Sequence, residues 1–158
     1  MPSEKMRYIR SRSGPSSPIE FDKLQDHLRS LDSAHLIEIL QGRAQRDEIL
    51  RRVLTLAVAI RSSAGDYEKG KAAINFGLFL PNFIRYNEGG HGQILDEIKS
   101  AIQFLAENNY RECAVRLAQY TIKRAEELSE RFEDDWDWRS SLDHLIGYAE
   151  KLKAASEV

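Results

Sequence analysis

Apolar positions along this chain recur every three or four residues and nowhere alternate over a long window. Phe21, Leu24, Leu28 and Leu31 follow at intervals of three, four and three, the spacing of one helix face. Ser17-Pro18-Ile19-Glu20 just ahead reads as a capping box, with Ser as N-cap, Pro first in the helix and Glu third. Asp32-Ser33 opens a second helix carrying Leu36, Ile37 and Leu40, which Gly42 ends or bends. Asp47 opens a third, with Leu50, Val53, Leu54, Ala57 and Val58 or Ile60. That segment is apolar nearly all round after Arg52, which predicts a central, buried helix. Ser62-Ser63-Ala64-Gly65 breaks it. Asp66 caps a fourth, through Tyr67, Ala73, Ile74 and Phe76 to Leu78-Phe79-Leu80, stopped by Pro81.

Beyond the irregular stretch from Pro81 to Gly92, a fifth helix carries Ile94 or Leu95, Ile98, Ala101 or Ile102, and Leu105. Asn108-Asn109 is a short turn. A sixth helix runs from Tyr110 through Ala114, Leu117, Ala118, Thr121 and Ala125 to Leu128. The acidic-aromatic stretch Glu133-Asp134-Asp135-Trp136-Asp137-Trp138 separates it from a seventh with Leu142, Leu145, Ile146, Ala149 and Leu152. The expected fold is therefore all-α: an antiparallel helical bundle, or a short helical-repeat-like array, of about six to seven helices. One internal echo suits a helix-pair repeat. Gly65-Asp66-Tyr67-Glu68 and Asn108-Asn109-Tyr110-Arg111 both open helices, 43 residues apart.

Composition bounds the class. At 158 residues and 42% hydrophobic the chain can build one sizeable core, burying roughly 70% of its extended surface. A lone Cys excludes an internal disulfide framework. No apolar run approaches the ~20 residues of a membrane span, and residues 1–18 hold no apolar core of a secretory signal. The expected location is the cytoplasm. Residues 1–18 read as a mobile basic tail, with Lys5, Arg7, Arg10 and Arg12 against Glu4 alone. The whole chain carries -2; with the tail at +3, residues 19–158 carry -5 and form the expected single helical domain. The tail supplies an alternative function, as an electrostatic arm for nucleic acid.

Candidate chemistry is sparse. His27, His35, His91 and His144 form no ligand pair at metal spacing, so neither metal nor cofactor is expected. Cys113 on the sixth helix reads as a small buried hydrophobe. Gly89-Gly90-His91-Gly92 lacks the Lys-Ser/Thr and the preceding strand of a P-loop. A loop of this length is nonetheless a natural contact surface, and Phe83, Arg85, Tyr86 and His91 are its binding candidates. The acidic-aromatic stretch lacks the Gly of a calcium loop. Its carboxylates suit a helix N-terminus, and Trp136 and Trp138 either cap the core or stand out as interface anchors. Lys123, Glu127 and Arg131 read as a solvated i,i+4 ladder.

Several segments resemble the helical domain that follows SWIM-type zinc fingers in bacterial proteins. They are Leu36-Ile37-Glu38-Ile39-Leu40 with Asp47-Glu48-Ile49-Leu50-Arg51-Arg52, and Ile94-Leu95-Asp96-Glu97-Ile98 leading to Phe104-Leu105-Ala106. The best match is Glu112-Cys113-Ala114-Val115-Arg116-Leu117-Ala118, continuing to Ile122, Arg124 and Glu126-Glu127, with Asp134-Asp135 beyond. The resemblance spans about residues 24–155 and is mainly a spacing of apolar and small residues. It implies a helical interaction or scaffold module with no assigned catalytic residues. The finger itself needs Cys and His ligands that a chain with one Cys does not supply.

The expected function is a non-catalytic helical module that binds another protein, a second copy of itself included. Nucleic acid is the alternative partner, and no membrane partner is expected.

Overall fold

Three aspartates set the starts of helices by accepting hydrogen bonds from backbone N–H groups left free in a first turn. Asp32 Oδ1 accepts from His35 N–H (2.9 Å), Asp47 Oδ1 from Leu50 N–H (3.0 Å), and Asp66 Oδ1 from Lys69 N–H (3.2 Å). The computed structural model describes residues 18–79, 92–132 and 136–156. Among them are seven α-helices and no strand: α1 Phe21–Ser30, α2 Ser33–Arg46, α3 Glu48–Ser62, α4 Tyr67–Phe79, α5 Gly92–Glu107, α6 Arg111–Leu128 and α7 Trp136–Ser156. A 3-10 turn, Ser129–Phe132, follows α6. The all-α expectation holds, with its helices in the expected order.

Several local expectations do not. The helix starts later than expected: the N-cap of α1 is Glu20, in extended backbone with no side-chain cap, and Ser17 of the expected capping box lies outside the described residues. Starting at Phe21 places Asp22 in the first turn, where its charge suits the helix dipole. Gly42 does not end α2, which runs on to Arg46. A mid-helix Gly costs only about 1 kcal/mol relative to Ala, and the next strong stop is Asp47. Trp136 and Trp138 do not precede α7 but sit in its first turn, beside Asp137.

The described residues fall into two compact units, one up to Arg43 and one from Ala44 on; the compositional boundary after residue 18 falls at the start of the described residues. Composition registers charge and Pro/Ser content; compact units follow burial. In the first unit, α1 buries no residue.

The second unit is an array of helix pairs. α3 and α4 form one antiparallel pair, α5 and α6 the next; α3 packs on α5, α4 on α6, and α7 on both α5 and α6. Burial repeats between the pairs. Leu56, Ala57 and Ile60 on α3 correspond to Ala101, Ile102 and Leu105 on α5, 45 residues on. Gly70, Ala73, Ile74 and Gly77 on α4 correspond to Ala114, Leu117, Ala118 and Thr121 on α6, 44 residues on. The connection Asn108–Tyr110 is one residue shorter than Ser63–Asp66, which accounts for the change. The residue echo at 43 thus marks the right turns, but burial repeats at a slightly longer period.

Both turns reverse through left-handed backbone. Ala64 and Gly65 have φ of 49° and 90°, and Asn109 has φ of 72°. Asn tolerates that conformation better than most residues. It lets Tyr110 N–H donate to the Leu105 carbonyl (2.9 Å) and close α5.

The central helix is α5, not α3. It alone touches α3, α4, α6 and α7, and it buries Ile94, Leu95, Ile98, Ala101, Ile102 and Leu105. α3 lies at the edge of the array, with Val58 61% exposed. Its all-round apolarity had suggested otherwise, but position in the stack decides which face is covered.

Cation–aromatic pairs tie the stacked helices together at their margins. Arg61 lies over Phe104 (5.6 Å) between α3 and α5, and Lys99 over Tyr148 (5.9 Å) between α5 and α7. Arg116 over Tyr67 (3.9 Å) and Lys71 over Tyr120 (5.2 Å) join α4 to α6. Tyr120 also donates its hydroxyl to Asn75 Oδ1 (2.6 Å). Each cation–aromatic pair contributes about 0.5–1 kcal/mol at an exposed site. On α6, Glu127 is held by the Arg124 guanidinium three residues earlier. α7 closes the array with a polar outer row of Arg139, Asp143, Glu150 and Lys153, all exposed, as the end of a helix array requires.

Capping by side chains should be measurable. Asp47→Ala removes the acceptor for Leu50 N–H and should lower the unfolding free energy by about 0.5–2 kcal/mol in urea denaturation.

Candidate functional site

The two tryptophans part company. Residues two apart on a helix point about 200° from each other. Trp138 is buried, 1% exposed, while Trp136 is 80% exposed. The Trp138 ring lies 4.7 Å from that of Phe132, tilted by 40°. Its Nε1–H donates to Ser129 Oγ (3.3 Å), and Ser129 in turn donates to the Ala125 carbonyl (2.8 Å). Trp138 thus pins the 3-10 turn to α7. Beside it runs a groove of about 300 Å³ between the end of α6 and α7, walled by Glu126, Phe132, Leu142, Asp143 and Ile146. The other binding candidates, Phe83, Arg85, Tyr86 and His91, lie outside the described residues, as do Lys5, Arg7, Arg10 and Arg12 of the tail.

A second surface is the apolar stripe of α1. Phe21 is 74% exposed, and Leu24 and Leu28 also remain exposed; Leu31, expected to continue the stripe, is exposed too but caps the helix in extended backbone. On α2, Ile37, Ile39 and Leu40 do the same. A ten-residue helix is marginal in water by itself, and most helical stability comes from burying an apolar face. The spacing marks Phe21, Leu24, Leu28 and Leu31 as a stripe. Nothing in a stripe's spacing tells whether it meets its own core or another molecule.

A third feature lies where the two turns meet. A methyl group on Gly65 would come within 2.6 Å of the Tyr110 ring, so this glycine serves both its positive φ and the close approach. Around it a groove of about 320 Å³ is bounded by Tyr67, Asn109, Glu112, Cys113 and Arg116. The Arg116 guanidinium stacks on Tyr67. Burial pushes the Cys113 thiol above its usual range; Arg116 opposes this, while Asp66 and Glu112 add to it. Thiolate, the reactive form, is therefore disfavoured. Cys113 should react with a disulfide reagent on the order of tenfold more slowly in the folded chain than in urea, because access requires opening.

A group whose pKa is raised by folding stabilises fully below its unfolded pKa and loses that contribution as pH rises through the folded value. The window for Cys113 therefore opens above about pH 8.5. Tyr148 is raised as well, first by burial and then by Glu107, against Arg111, and it acts in the same direction higher on the pH scale. The urea midpoint should fall between pH 8 and pH 10.

Among the described residues no group of three or more His, Cys, Asp or Glu is placed to hold a metal ion. The exposed His35 Nδ1 lies 2.7 Å from Asp32 Oδ1, at the cap of α2. No buried side-chain nitrogen or oxygen among them lacks a hydrogen-bond partner: Ser63 donates to the Ile60 carbonyl (2.6 Å) and Thr121 to the Leu117 carbonyl (2.7 Å). No helix among them is long and apolar enough to cross a membrane. Comparison with known proteins found no matching family model, no matching curated protein and no matching solved structure.

Proposed function

We propose that this chain is a non-catalytic helical interaction module that binds another protein, a second copy of itself being one candidate. The observation that supports it is the exposed row Phe21, Leu24 and Leu28 on α1, with exposed Leu31 just past the helix end. Large apolar side chains in helical register, left in water, suit a contact with a partner. The resemblance to the SWIM-associated helical domain adds to this reading, and a single unpaired Cys suits a cytoplasmic setting.

The test is a pull-down from the native host with the intact chain and with Leu24→Glu/Leu28→Glu, alongside scattering mass for both. The expected result is a partner, or a scattering mass above one chain, whose retention drops at least about tenfold in the double variant, equivalent to 1.4 kcal/mol or more. A one-chain mass with no retained protein, or equal retention by both chains, would overturn the proposal.

A further inference from the structure

We draw no further inference here: the strongest candidate, the groove around Cys113 and Arg116 where the α3–α4 and α5–α6 turns meet, carries nothing because it rests on the N-terminus of α6 and a lone cysteine, with no second observation pointing to a ligand.

Discussion

Trp138→Ala should lower the unfolding free energy by about 3–5 kcal/mol, the range for truncating a large buried aromatic. The same change at Trp136 should stay within about 0.5 kcal/mol of the parent, as exposed positions do. Trp138 is fully buried and touches Phe132. Its loss removes the apolar contact area and opens a cavity that α6 and α7, tied together along their length, can only partly close. It also removes the donor to Ser129, which loosens the 3-10 turn. Against a typical total of about 5–15 kcal/mol, this is a large fraction of the protein's stability. Urea denaturation followed by circular dichroism reads both variants. Equal effects at the two positions would mean that both rings share one environment, contrary to the geometry. A stable Trp136→Ala protein is also a useful reagent, because it separates any loss of partner binding from loss of fold.

Gly92→Ala should destabilise the chain by about 1–3 kcal/mol, the usual cost of overpacking. A methyl group there would lie 2.6 Å from Ser141 Oγ and 2.8 Å from the carbonyl carbon of Asp137. The second neighbour is backbone, so it cannot rotate away as a side chain would. Either the start of α5 or the first turns of α7 must move. Gly147→Ala serves as the control with the opposite sign. Nothing lies within 4 Å of the position a methyl group would take, and it sits within α7. Alanine there should stabilise by about 0.5–1 kcal/mol, the difference in helix preference between the two residues. Matching thermal and urea shifts for both variants would check the pair. A neutral Gly92→Ala would show that α5 and α7 do not approach as closely as the structure has them.

Of the surfaces described, the α1 stripe was readable as a stripe and Trp136 as a candidate anchor. Neither was readable as exposed. Cys113 reads as a buried residue from its sequence, and it is buried; the groove beside it follows from no local pattern. Its walls come from Gly65 and Tyr67 on one side and from Asn109 to Arg116 on the other, segments more than 40 residues apart that meet only when the two helix pairs stack. The echo between those two turns is the one signal in the sequence, and its spacing of 43 falls one to two residues short of the 44 and 45 at which burial repeats.

What the amino-acid order determined alone is local. Helix period, the caps at Asp32, Asp47 and Asp66 and the turns at Gly65 and Asn109 all depend on groups within about four residues of each other. That range suffices for an all-α chain of about six to seven helices, and seven in the expected order stand among the described residues. The tertiary structure decided which helix is central, which tryptophan is buried, and which glycine tolerates a side chain. Those depend on which helices stack. α5 is covered because α3, α4, α6 and α7 surround it, while α3, apolar nearly all round after Arg52, is left at the edge with Val58 in water.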